Sequence, residues 1–291
     1  MSVIRGIWAA VLTPIDADLQ PDPAKAVPYY RELLAQGCDG LNLLGSTGEA
    51  MSFNADQRLR FMESLAASGL PLHRSMVGTG AAALEDAVRL TRAATRWGFA
   101  AALVMPPFFF REAPGAGIVA FYDALIAAAD PPPRSVLLYN FPKMSGVAFD
   151  ADLVDRLVER SRETIFGMKD SSNDPALQTE IARRRPGFTI LPGSESGLRE
   201  ALARGAAGCI SGTVALWPQL ARRVFESGDA DLAETLNRAR AALDGVPLVG
   251  AMRYLTATLR TDPEWERAMP PHAPLAAEQR RRLDAIVASR P

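Results

Sequence analysis

Thr164-Ile165-Phe166-Gly167-Met168-Lys169-Asp170 is a short apolar run that breaks off on a lysine, and Ser171-Ser172 follow it. Apolar on both faces, it reads as a strand buried on both sides of a parallel sheet. Its strand part, 165–169, is one of eight such runs; the others are 6–13, 39–45, 74–78, 100–105, 135–139, 188–191 and 208–211. Between them lie stretches of helical period, among them 23–36, 54–68, 84–97, 117–129, 151–160 and 198–204. Asn54 is placed to cap the second of these, Gly37 and Gly69 to end the first and second, and Gly98 and Gly205 follow others. Strand and helix alternate with no long linker, the pattern of βα units around a parallel sheet. Eight such units predict an α/β fold, a (β/α)8 TIM barrel over residues 1–225. Residues 226–291 carry helical period without a strand, and Pro247, Pro263, Pro270, Pro271 and Pro274 divide them into about three helices, a C-terminal helical extension.

Composition narrows the chemistry. Lys and Arg total 32 against 33 Asp and Glu, with both signs spread along the chain, so no basic face offers itself to nucleic acid or anionic lipid. No run reaches the roughly 18 uninterrupted apolar residues of a membrane span, and residues 1–7 lack a charged start before a long apolar stretch. A cytoplasmic protein is expected. The 2 cysteines, Cys38 and Cys209, each sit in an apolar run without a partner at metal-ligand spacing, and read as core thiols. With 2 histidines, His73 and His272, far apart, no metal site and no cofactor are expected. Lysine is scarce as well: Lys25, Lys143 and Lys169 stand against a large excess of arginine.

In a parallel barrel the chemistry sits in the loops after the C-terminal ends of the strands. Lys169 ends its run there, where an ammonium would face the barrel interior or its mouth. Loss of water favours the neutral amine, which attacks a ketone and, after dehydration, gives an imine. Taken alone, a strand-end lysine more often reaches solvent or pairs with a neighbour such as Asp170. Tyr139 ends the fifth run and would face the same mouth, where a phenol can relay protons, although an aromatic at that place more often packs. Gly45-Ser46-Thr47-Gly48-Glu49 follows the second run; its hydroxyls and free backbone N–H groups suit a carboxylate, as in a 2-oxo acid, though an ordinary Gly-rich turn would look the same. Glu49 could instead tie that loop down. Gly193-Ser194-Glu195 and Ser211-Gly212-Thr213 follow the seventh and eighth runs, where barrels usually bind phosphate, so a phosphorylated substrate stays open.

Together, and in this order, these residues resemble the dihydrodipicolinate synthase and N-acetylneuraminate lyase family of class I aldolases, over essentially the whole chain. The motifs that carry the resemblance are Gly45-Ser46-Thr47-Gly48-Glu49, Tyr139-Asn140-Phe141-Pro142, Gly167-Met168-Lys169-Asp170-Ser171 and Gly208-Cys209-Ile210-Ser211-Gly212. The resemblance implies that Lys169 forms a Schiff base with pyruvate and that Tyr139 relays protons. It implies that Ser46 and Thr47 hold the pyruvyl carboxylate and link to the tyrosine, and that Ile210 shapes the pocket. Gly193, Glu195 and Gly212 fall where members contact the distal part of the second substrate. The partners it implies are pyruvate or another small 2-oxo acid, an aldehyde, and copies of the same chain in a homodimer or homotetramer. An oligomer would also cover the adjacent apolar side chains of Phe108, Phe109 and Phe110.

The sequence departs from both founding activities. Phe109 stands where the synthases place a tyrosine that reaches into a neighbouring subunit, and Met144 where they carry the arginine that holds the carboxylate of the aldehyde partner. Lys143 is the one nearby cation that the sequence offers in exchange. Ser196 follows Glu195 where sialic acid lyases have a second acidic residue. The leading expectation is a lyase acting on a 2-keto-3-deoxy sugar acid or related hydroxy-oxo acid. Dihydrodipicolinate synthase itself, a dehydratase or deaminase working through the same imine, and a non-catalytic oxo-acid sensor on the same fold are the alternatives.

Overall fold

The computed structural model describes residues 4–161 and 163–288; the first three residues of the 1–7 stretch and the last three of the expected extension lie outside it. All eight runs become strands: β1 (Gly6–Ala10), β2 (Gly40–Leu43), β3 (Ser75–Gly78), β4 (Ala102–Val104), β5 (Val136–Asn140), β6 (Ile165–Asp170), β7 (Thr189–Pro192) and β8 (Gly208–Ser211). They form one parallel sheet in the order β7-β6-β5-β4-β3-β2-β1-β8. The two ends of that order meet where the Ala207 N–H donates to the Ile190 carbonyl at 2.8 Å, which rounds the sheet into a (β/α)8 TIM barrel.

The helices on the outside are α1 (Pro23–Ala35), α2 (Ala55–Ala67), α3 (Leu84–Arg96), α4 (Gly115–Ala129), α5 (Pro142–Ser145), α6 (Ala151–Arg160), α7 (Pro175–Arg184), α8 (Leu198–Ala203) and α9 (Pro218–Ser227). Asn54 caps α2 in a reciprocal box with Gln57, so two otherwise orphaned N–H groups at the helix start are bonded. Helix α9 runs through positions 225 and 226, and the chain continues into α10 (Ala230–Ala241), α11 (Leu248–Arg260) and α12 (Ala277–Ala288). No helix among the described residues is long and apolar enough to cross a membrane.

Strand alternation sorts the core into two layers. Leu41 and Leu43 of β2, Leu138 of β5 and Met168 of β6 point outward into the main cluster beneath the helices. Trp8, Ala10, Met76, Leu103, Leu137, Tyr139, Leu191 and Ile210 point inward and fill the barrel. Cys38 and Cys209 are free and buried, and burial pushes the Cys38 thiol up to about 12, as suits core thiols.

The strands differ from the apolar runs at their ends. β1 stops at Ala10 and β2 at Leu43, although Val11, Leu12, Thr13, Leu44 and Gly45 stay buried. Apolarity tracks burial, whereas a strand ends where the neighbouring ladder ends. In the other direction β5 continues past Tyr139 to Asn140 and β6 past Lys169 to Asp170, so neither candidate is the last residue of its strand. The short α5 and the whole of α7 add helices to those read from the sequence.

Candidate active site

Lys169 and Tyr139 are register partners on β6 and β5, so their side chains leave neighbouring strands at one height, toward the interior. Each is 4 % exposed. The Lys169 Nζ lies 4.4 Å from the centre of the Tyr139 ring, within range of a cation–π contact. Among the described residues Lys169 forms no ion pair. Alternation excludes its neighbour: Asp170 points outward and accepts from Asn140 Nδ2 at 2.8 Å, Ser172 Oγ at 2.9 Å and Gln178 Nε2 at 2.7 Å. The Lys169–Asp170 pair that the sequence left open does not form.

The Tyr139 hydroxyl lies 3.3 Å from Ser46 Oγ, and its ring stacks on Phe141 at 5.7 Å between centres. The fifth-strand tyrosine is therefore tied to the turn after β2. That turn, Gly45 to Glu49, is closed by Glu49 N–H donating to Ser46 O at 3.1 Å and Ala50 N–H to Gly45 O at 3.2 Å. Among the described residues the N–H groups of Ser46, Thr47 and Gly48 have no acceptor. Thr47 is buried against Gly212, where a Cβ would stand 2.9 Å from the Thr47 hydroxyl. Only glycine lets the β8 loop come this close to the turn. Ile210, fully buried on β8 in register with Trp8, belongs to the interior cluster.

The loops after β7 and β8 meet at Glu195, which is fully buried. Thr213 Oγ1 donates to Glu195 Oε1 and lies 3.2 Å from Ser211 Oγ; Glu195 Oε2 has no partner among the described residues. Gly193 donates its N–H to Asp170 O at 2.6 Å, and a Cβ there would collide with Ser171, so Gly193 holds the β7 loop against that of β6. Lys169, Tyr139 and Ser46 thus form one contact chain, Thr47 and Gly212 a second contact, and Glu195, Thr213 and Ser211 a third.

Glu49 does tie the loop down. It sits in the left-handed region at φ 56, fully buried, and pairs with the equally buried Arg253 of α11. Arg253 was not legible as its partner across such a sequence distance. Asn140 was also missed: it links the ends of β5 and β6 by bonding Asp170 and accepting from Phe149 N–H at 3.1 Å. Around the departures, Ser196, Lys143 and Met144 are exposed, and Phe109 and Phe110 are 73 % and 75 % exposed. Phe108 instead packs half-buried against the interior cluster. Lys143 is not the only cation at the turn that carries Met144: the stem of Arg111 lies across Gly146, where a Cβ would stand 2.5 Å from its Cγ.

A barrel with a buried lysine that has no ion-pair partner among the described residues, beside a tyrosine near the C-terminal ends of its strands, is the frame of a barrel enzyme, with its candidate site where the fold expects one. The chain belongs to the dihydrodipicolinate synthetase family, whose sequence profile matches residues 3–289. It is similar to an uncharacterised DapA-like lyase of Chloroflexus aurantiacus, 36% identical over 266 residues covering 89% of this chain and 87% of that protein. It is similar to the L-threo-3-deoxy-hexylosonate aldolase of Hypocrea jecorina, 28% identical over 252 residues covering 80% of this chain and 78% of the relative. Among solved structures it resembles YagE of Escherichia coli K12, a prophage protein of the dihydrodipicolinic acid synthase family in complex with pyruvate, with a TM-score of 0.85, 25% identity and 99% of both chains covered. The protein is accordingly a lyase of this family.

Proposed function

We propose that Lys169 forms a Schiff base with pyruvate or another small 2-oxo acid, and that the enzyme cleaves or forms a 2-keto-3-deoxy sugar acid or a related hydroxy-oxo acid. The observation that carries this reading is the buried Lys169 Nζ, without a counter-ion among the described residues and 4.4 Å from the Tyr139 ring. The other two lysines offer no such amine: Lys25 is held by Asp262 and Glu264, and Lys143 lies in the open.

The amine adds to the C2 carbonyl, and the carbinolamine loses its hydroxyl as water, the proton for it coming from the Tyr139–Ser46 hydroxyl pair, to leave a protonated imine and a deprotonated pair. In the cleavage direction the C4 hydroxyl gives up its proton to the Tyr139–Ser46 hydroxyl pair, and the C3–C4 electron pair flows into the iminium as the aldehyde departs. The resulting enamine takes a proton at C3, and water then releases pyruvate and the free lysine. The open N–H groups of Ser46 and Thr47, with the Thr47 hydroxyl, receive the carboxylate of the 2-oxo acid. Ile210 bounds the pocket, and Gly193, Glu195 and Gly212 serve the distal part of the substrate. Likeness to a 3-deoxy-hexylosonate aldolase and the exposed, uncharged Met144 both support a hydroxylated aldehyde half over the anionic one of a synthase. Phe109 and Phe110 support assembly into a homodimer or homotetramer that covers them, and the two free, buried thiols accord with a cytoplasmic setting.

Reduction with borohydride in the presence of pyruvate tests the reading. One adduct per chain at Lys169 is expected by peptide mapping. An adduct on Lys25 or Lys143, or none, overturns it.

A further inference from the structure

Asn42 is the one polar side chain of β2, and the strand's alternation decides where it points. Leu41 and Leu43 face the helices. Gly40 faces inward, since a Cβ there would stand 2.3 Å from the Trp8 ring of the interior cluster. Asn42, two residues on, shares that inward face one step nearer the mouth. Its register partners are Ala10 and Met76, which offer no side-chain hydrogen bond. Asn42 has no exposed surface, and both Nδ2 and Oδ1 lack a partner among the described residues.

A buried carboxamide with neither end bonded costs folding free energy, and native barrels fill this layer with branched apolar side chains. What lies above it gives the reason to keep it. A Cβ at Gly45 would stand 2.9 Å from Asn42 Nδ2, so the amide presses on the residue that opens the turn carrying Ser46 and Thr47. Ser46 in turn reaches Tyr139, and Tyr139 lies over Lys169.

From this placement, and resting on the imine reading above, we infer that Asn42 is a binding residue for the 2-oxo acid, its Nδ2 donating to an oxygen of the bound molecule. It forms the floor of a site whose wall is the Gly45–Glu49 turn. Such a donor holds ground state and transition state alike, so its removal weakens binding and leaves the limiting rate in place.

Asn42→Val fills the position with an apolar, strand-favouring side chain, and Asn42→Ala removes the amide without adding bulk. Both are compared with the unaltered enzyme by the rate of borohydride trapping as a function of pyruvate concentration and by thermal unfolding. The half-saturating pyruvate concentration is expected to rise about tenfold or more, as loss of one hydrogen bond to a charged group does. The limiting trapping rate is expected to stay within about twofold. Tm of at least one variant should equal or exceed that of the unaltered enzyme, because the change removes an unsatisfied buried group. An unchanged half-saturation overturns the inference, as does a change confined to the limiting rate. A Tm that falls with trapping in both variants also overturns it, since the amide then serves the fold. If the unaltered enzyme gives no adduct at Lys169, it is the imine reading that has failed.

Discussion

Glu49 and Lys169 are both buried ionisable side chains near the strand ends of one barrel, and the structure treats them in opposite ways. Glu49 is fully provided for: Arg253 Nε donates to its Oε1 at 2.5 Å and the Met269 N–H to its Oε2 at 2.8 Å. The remaining Arg253 nitrogens donate to Trp265 O at 3.3 Å and Thr13 O at 3.0 Å. Lys169 has an aromatic face and, among the described residues, no carboxylate. A buried charge whose bonding capacity is used up is part of the scaffold. One whose capacity is left open is a candidate to bind something that is not protein, as proposed above for Lys169.

The sharpest way to break this comparison is to remove one ionisable side chain from each region. Lys169→Leu should abolish borohydride trapping and reduce turnover to background, yet leave the urea midpoint unchanged or higher, because no partner is stranded. Arg253→Leu should do the reverse in stability, costing about 3–5 kcal/mol by leaving a lone buried carboxylate, while Glu49→Leu/Arg253→Leu recovers much of that loss. Equal destabilisation by Lys169→Leu and Arg253→Leu would erase the distinction.

A smaller effect is expected at Tyr139, which belongs to the open region through one hydroxyl contact with Ser46. Tyr139→Phe keeps the ring, and with it the contact to Lys169, so folding and trapping should persist while turnover falls by ~10² or more. Turnover at the level of the unaltered enzyme would return Tyr139 to a packing role.

The smallest effect concerns the outer rim, where Met144 is 56 % exposed and uncharged. An arginine there would offer a bidentate, charge-assisted bond to a second carboxylate, worth about 1.5–3 kcal/mol, or roughly ten- to a hundredfold. The kcat/KM for condensing pyruvate with glyceraldehyde should therefore exceed that for aspartate semialdehyde, and Met144→Arg should narrow the gap. Efficient use of the semialdehyde by the unaltered enzyme would make it a synthase, and Arg111, lying across Gly146, would be the cation to remove next.

What was legible in the sequence follows from how far each signal reaches. Eight apolar runs separated by helical stretches specify the barrel because burial on both faces is a local property of each run. Lys169 and Tyr139 were legible for the same reason: a charged or polar group closing an apolar run has few places to go but the mouth. Strand ends were not, since Val11 and Leu44 are as apolar as their neighbours but lie beyond the reach of the adjacent ladder. Arg253 looks like any other arginine of a helical stretch, and only the folded chain brings it to Glu49. Asn42 reads as a polar lapse in the run 39–45; its meaning depends on alternation and on what Gly45 places above it.

The Glu49–Arg253 pair also sets a timetable for the newly made chain. Synthesis proceeds from the N-terminus, so the Gly45–Glu49 turn leaves the ribosome early, some two hundred residues ahead of the guanidinium that neutralises it. Until α11 has emerged and docked, burying Glu49 would strand its charge, and the turn has every reason to stay splayed toward water. The pocket proposed for the 2-oxo acid would thus be among the last parts of the barrel to set, and a nascent chain released before residue 253 would carry Lys169 without the wall proposed to hold its substrate.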